Sequence, residues 1–264
     1  MKGYSHFRTQ SGKASVVSAP PYHYGADFIT VYFNAEPEKM QKFLPEGLSV
    51  GDGSGVAYIC DFVCTVSEHD MEALHEDPAQ CTYKEAAVGI RCSYKGNPGM
   101  YYPFMWIDRD WSLVRGWSLG YPKKIADDIH MTKLHKFIPR VPYYGPGVKI
   151  SGYCARHGDR MLSVELEIER KGTVKDLASS PSVYALRHFP VSSTGQSIVN
   201  ELVEIEKGNA QVGEEIWYGK GNVKFGRSRN EELELIEPVE PTYGLSYQAG
   251  FTNYGAKVLQ RFEN

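Results

Sequence analysis

Short runs of β-branched and aromatic residues, each broken by Gly, Pro or Asn, recur along almost the whole chain. They are Phe28–Phe33, Val56–Val66, Glu85–Tyr94, Tyr101–Ile107, Ile129–Lys136, Val148–Tyr153, Met161–Glu169, Ile198–Glu206, Asn222–Arg227 and Tyr243–Phe251, and they read as strands. Leu162, Val164, Leu166 and Ile168 alternate with Ser163, Glu165, Glu167 and Glu169, the pattern of an antiparallel strand with one wet face. Helical signals are few. Pro37–Leu44 opens with a proline in its first turn and sets Met40, Phe43 and Leu44 on one side. Ser67–His75 and Asp110–Ser118 are weaker, the second turning Trp111 and Val114 inward, with Leu113 beside them. So many strands with so few helices predict a mainly β (α+β) fold, a closed or cone-like antiparallel barrel carrying a few short helices, because closure removes exposed sheet edges. Pro139–Gly147 reads as the longest surface loop.

A chain of 264 residues with 42% hydrophobic and 23% charged residues can bury one substantial core, so a single domain over 1–264 is expected. A net charge of −3 with lysines scattered along the chain leaves no footprint for nucleic acid. No apolar stretch approaches the roughly 18 residues of a membrane helix, and Met1–Lys13 is polar. The expected location is therefore cytoplasmic, away from any membrane. Five cysteines, an odd number, predict reduced thiols. Cys60 and Cys64, with His69 and His75 following, invite a metal reading. However, residues four apart on a strand are about 13 Å apart, too far for one ion, so these are expected to be core cysteines, with no metal or cofactor.

The most informative segment is Gly120-Tyr121-Pro122-Lys123-Lys124. With it go Pro45-Glu46-Gly47-Leu48, closing the first helix, and Tyr83-Lys84-Glu85. Together these resemble the acetoacetate decarboxylase superfamily, in its Tyr-Pro-Lys-Lys, Pro-Glu-x-Leu and Tyr-x-Glu motifs. The resemblance is good from about Pro21 to Lys136 and rests beyond that on β-rich character. It implies a cone-like barrel, a homo-oligomer, and a Schiff-base lysine that is the first of the pair, Lys123. It also implies that the Glu85 carboxylate lies in the active site.

A primary amine attacks a ketone only when unprotonated, and an ordinary lysine, with a pKa of about 10.4, is almost wholly ammonium at pH 7. A neighbouring cation is the known device in acetoacetate decarboxylase itself, and Lys124 is adjacent. In an extended segment, however, the two side chains point to opposite faces, and charges about 8 Å apart at an effective dielectric of about 20 repel by only about 2 kcal/mol. Desolvation among Trp106, Trp111, Trp117 and Tyr121 is expected to contribute at least as much. Glu85 suits proton transfer at the carbinolamine and enamine. Tyr83 shares its face of the strand, and either holds substrate or packs in the core.

The chain also departs from the family pattern. The decarboxylases carry an arginine near the position of Ala26 and Arg-Glu where this chain has Gly116-Trp117. For their second glutamate only Asp61 is available here. Such departures resemble the aldolase–dehydratase branch, which joins pyruvate to an aldehyde and loses water with help from a C-terminal tyrosine. Tyr254 is the nearest match, with Tyr243 and Tyr247 as rivals. The expected function is thus a Schiff-base carbon–carbon lyase or synthase acting on a small oxo acid, with condensation with an aldehyde and dehydration ahead of acetoacetate decarboxylation. Lys123, Glu85 and Tyr254 would be catalytic, and Tyr83 and Asp61 would bind substrate. A non-catalytic small-molecule binding protein is the alternative from another class.

Overall fold

The computed structural model describes residues 1–5, 9–12, 14–66, 70–177 and 182–263. Its strands are β1 (Tyr22–Ala35), β2 (Leu48–Thr65), β3 (Thr82–Tyr94), β4 (Asn97–Ile107), β5 (Lys123–Ile125), β6 (Asp128–Met131), β7 (Lys149–Arg156), β8 (Asp159–Lys171), β9 (Ser182–Pro190), β10 (Ser197–Val212), β11 (Trp217–Phe225) and β12 (Val239–Arg261). The helices α1 (Pro37–Gln41), α2 (Asp70–Glu76) and α3 (Asp110–Leu119) are short.

The sheet runs β1-β2-β3-β4-β9-β10-β12, and β12 then pairs with β1 as well. That last pairing closes a ring and removes its edges. From β12 the sheet continues through β11, β8, β7 and β6, and this extension touches β1, β2 and β3 from outside. The pairs are antiparallel except β4 with β5 and β4 with β9.

Two of the three apolar clusters among the described residues follow from this layering. Ile29, Val31, Ile59, Val88, Leu162, Val164 and Leu166 fill the space between the barrel wall and the outer layer, whereas Cys60, Phe62, Tyr83, Ile107 and Val203 fill the barrel interior. Strands β1 to β3 are therefore apolar on both faces, unlike β8, where the glutamates point to water as its alternation predicts. Parity along β1 sends Ile29 and Val31 outward and leaves Phe28, Thr30 and Tyr32 to line the interior cavity.

Several predicted boundaries move. The run Ile129–Lys136 leaves the sheet after Met131, where the Thr132 N–H makes a last bond to the Ser151 carbonyl. Strand β9 was not legible, because Arg187, His188 and Pro190 break its apolar pattern. The helix predicted over Ser67–His75 runs Asp70–Glu76, and Ser67 and His69 lie outside the described residues. No helix among the described residues is long and apolar enough to cross a membrane.

The stop of α3 positions the lysine segment. Gly120 takes a left-handed φ of 99°; its N–H reaches the Trp117 carbonyl, and the Tyr121 N–H reaches that of Gly116. These are the paired bonds by which a glycine terminates a helix. Pro122 prevents continuation. The chain is released as β5, parallel to β4, with Lys123 opposite Met105 and Lys124 opposite Trp106.

Candidate active site

A cavity of about 810 Å³ occupies the barrel interior. Pairing register brings its chemistry together. Ala87 lies opposite Met105, and Met105 opposite Lys123; Glu85, two residues from Ala87, shares that inward face. The Lys123 Nζ sits 2.7 Å from Glu85 Oε2, with both side chains almost fully buried. The amine donates to Ser112 Oγ at 3.0 Å and lies 5.0 Å from the centre of the Tyr83 ring. The Tyr58 hydroxyl donates to the other Glu85 oxygen at 2.7 Å. At this distance a proton can pass directly between the amine and the carboxylate.

Lys124 is on the other face. Its Nζ donates to Glu231 at 2.6 Å; the buried Glu231 carboxylate also accepts from Trp106 Nε1 and lies 3.6 Å from Arg156 Nε. The Lys124 charge is thus compensated where it stands. Of the four aromatic residues expected to dry the lysine, Trp106 belongs to this outer network and Trp117 is 46% exposed, tying the segment down by donating to the Lys123 carbonyl at 2.8 Å. Tyr121 lines the cavity, and Trp111 meets Tyr83 edge-on at 5.2 Å.

The sequence reading missed Arg115. It is 6% exposed and lines the cavity. Its guanidinium lies 4.2 Å from the Tyr22 ring centre and 4.7 Å from that of Trp111, and Nη1 donates to Cys64 Sγ and, at 3.5 Å, to the Tyr24 hydroxyl. Nε has no hydrogen-bond partner, and among the described residues no carboxylate pairs with this arginine. The expected loss of the arginines from the site is therefore corrected: α3 delivers one, a single position before Gly116. A signal existed in the spacing Trp111, Arg115, Leu119, the face that α3 buries. Ser112 was missed with it.

Gly116 is explained by contact. A Cβ there would lie 2.4 Å from Lys123 Cδ, and the lysine cannot yield without losing its place beside Glu85 and Ser112. Gly116→Ala is expected to keep its fold by circular dichroism while slowing capture of the Lys123 amine by a carbonyl reagent with borohydride about a hundredfold, the cost of roughly an ångström of misplacement. Unchanged trapping kinetics would show that the lysine stem is free to shift.

The remaining expected residues separate by parity. Tyr83 lies in the cavity wall, stacked on Phe62 at 4.9 Å. Asp61 falls on the outer face of β2, between the inward Cys60 and Phe62, and binds Lys133. It is therefore corrected from substrate contact to surface ion pair. Tyr254 is half-exposed and its hydroxyl accepts from Asn209 at 3.0 Å; Asn253 lines the cavity in its place. Tyr247, one of its rivals, also lines the cavity and stacks on Phe28 at 5.1 Å, while Tyr243 stacks on Tyr32. Burial pushes the phenols of Tyr58, Tyr83 and Tyr121 well up, so they are neutral O–H donors at physiological pH. All five cysteines are buried and free, and among the described residues no three His, Cys, Asp or Glu side chains gather as a metal site.

The profile of the family described as acetoacetate decarboxylase (ADC) matches residues 6–262. An acetoacetate decarboxylase-like enzyme from Sphingomonas wittichii RW1 superposes with a TM-score of 0.93 at 36% identity, covering 99% of this chain and 100% of that one. The enduracididine biosynthesis enzyme MppR, solved with the condensation product of pyruvate and imidazole 4-carboxaldehyde, superposes with a TM-score of 0.88 at 23% identity over 97% and 96% of the two chains. The acetoacetate decarboxylase of Clostridium botulinum (strain Eklund 17B / Type B) is 24% identical over 108 residues, 40% of this chain and 39% of that protein; the match spans about two fifths of that curated relative.

Proposed function

Because the chain belongs to the acetoacetate decarboxylase family, we propose that it is a lyase-type enzyme in which Lys123 forms a Schiff base with a small oxo acid, most suitably pyruvate, and joins it to an aldehyde with loss of water. The observation that carries this reading is a buried amine 2.7 Å from a carboxylate at the wall of a cavity of about 810 Å³. Such a volume belongs to drug-sized ligands, far beyond a three-carbon oxo acid. It leaves room for a second substrate.

In the proposed sequence Glu85 takes the proton from the Lys123 ammonium, and the free amine adds to the ketone carbon of pyruvate. Expulsion of water, with Glu85 returning the proton, leaves the iminium. Arg115, with no anionic partner among the described residues, holds the pyruvate carboxylate. Removal of a methyl proton by Glu85 gives the enamine, whose carbon attacks the aldehyde carbon while the aldehyde oxygen accepts a proton. Loss of one further carbon-bound proton and of the hydroxyl as water leaves a conjugated iminium. Hydrolysis of that iminium frees Lys123 and an unsaturated 2-oxo acid. Tyr247 and Tyr58, neutral phenols in the wall, are the donors proposed for the departing oxygen.

The test is borohydride reduction with pyruvate followed by peptide mass mapping, and then incubation of pyruvate with a panel of aldehydes. Label confined to Lys123 and a conjugated product absorbing in the ultraviolet are expected. Label on Lys124, or no label with any small oxo acid, would remove the proposal and leave a binding protein. Arg115 keeps acetoacetate decarboxylation as the second reading, since a positioned guanidinium also draws in a 3-oxo acid. Rapid carbon dioxide release without condensation would make that reading the first.

A further inference from the structure

Besides Lys123, the cavity is lined by a second amine. Lys207 lies on β10 opposite Asn253 of β12, beside a register shift whose extra residue is Tyr254 on β12. Both Lys207 and Phe251 line the cavity, and the Lys207 Nζ stands 4.7 Å from the centre of the Phe251 ring. Phe251 stacks on Tyr24 at 4.9 Å, Tyr24 meets Phe62 edge-on at 5.5 Å, and Phe62 stacks on Tyr83, whose ring carries the Lys123 amine. The two amines thus end a continuous aromatic wall.

They differ in compensation. Lys123 has Glu85 and Ser112, whereas Lys207 has no ion pair or hydrogen bond among the described residues. Of the carboxylates on its own strand that border the cavity, Glu204 accepts from Ser182, and Glu206 is not within ion-pair distance. Lys207 is an exposed residue that lines the cavity, and desolvation by the surrounding protein pushes its ammonium down to about 8, with the charge of Glu85 opposing. An anion brought in by a ligand would offset that penalty. Arg115 stands between the two amines, against Tyr24, which stacks on Phe251, and against Trp111, which packs on Tyr83; its proposed place is with the oxo acid carboxylate.

We infer that Lys207 is a specificity-determining residue for the second substrate, and that this substrate is an aromatic aldehyde bearing a carboxylate. The aldehyde carbon lies toward Lys123, the ring lies along the aromatic wall, and the carboxylate pairs with the Lys207 ammonium. This rests on the proposed condensation, so the experiment reads binding and turnover separately. Calorimetry with unreactive 4-methylbenzoate and neutral 4-methylbenzyl alcohol needs no imine chemistry. The acid is expected to bind at least tenfold more weakly to Lys207→Met than to the parent, the alcohol less than twofold more weakly, and Lys207→Arg is expected to restore the acid. In turnover with pyruvate, the ratio of kcat/KM for 4-carboxybenzaldehyde to that for benzaldehyde is expected to fall at least tenfold in Lys207→Met, through KM. An unchanged acid-to-alcohol preference in the variant would overturn the inference. So would loss of pyruvate trapping at Lys123 in the variant, which would give Lys207 to the oxo acid instead. Selective binding of the acid by the parent with no imine at all would support Lys207 and sink the condensation alone.

Discussion

Lys123→Met is expected to abolish borohydride trapping with pyruvate and to lower condensation turnover by on the order of 10⁴-fold or more, the scale seen when a covalent nucleophile is removed. Methionine fills much the same space but cannot attack a carbonyl. The substitution also leaves the 3%-exposed Glu85 without its counter-charge, and breaking a buried pair on one side costs about 3–5 kcal/mol. Activity loss and instability must therefore be separated. The double variant Lys123→Met with Glu85→Gln removes both charges, so denaturant unfolding should recover most of the lost stability while turnover stays absent. Substantial turnover in either variant would mean that the chemistry passes through another amine, with Lys207 the first to map.

Glu85→Gln alone is expected to fold, because an amide oxygen can still accept the Tyr58 hydroxyl that lies 2.7 Å from the carboxylate. Its turnover should fall by about a hundredfold or more, since the amide can neither take the amine's proton nor return one to the leaving hydroxyl. Trapping at Lys123 should persist at a reduced rate, because borohydride drains even a slowly formed imine. Stopped-flow trapping set beside steady-state turnover separates these effects. Near-normal turnover with normal trapping would reduce Glu85 to a structural counter-ion.

The sequence reading and the structure part company at identifiable residues. Lys123 was legible because its placement is local: Gly120 ends a helix, Pro122 stops it resuming, and the next residue is delivered to a strand. Lys124 on the opposite face followed from the same two-residue period, but its partner Glu231, more than a hundred positions away, did not. Asp61 and Tyr254 were misplaced for one reason. Alternation says which residues share a face and is silent on which face is inside. That is settled by register, Cys60 opposite Glu85 on one side and Asn253 opposite Tyr22 on the other, and β12 carries shifts against both β1 and β10 that break the count. Arg115 escaped because an arginine on a short helix reads as solvated, and only Tyr22, Trp111, Cys64 and Tyr24 give it a buried seat.

By itself the sequence determined the elements set by near neighbours: the strand-rich pattern, the proline and glycine stops, and the lysine released at the start of β5. Only the tertiary structure decided which side chains meet at the cavity: Glu85 in contact with Lys123, Arg115 with no carboxylate partner among the described residues, and Lys207 in the same lining. The physical reason is that turns and alternation are short-range and are written in adjacent residues. The closure of β12 onto β1 and the bulge at Tyr254 opposite Lys207 arise from pairings between strands far apart in the chain, and these are chosen by the summed burial of whole faces.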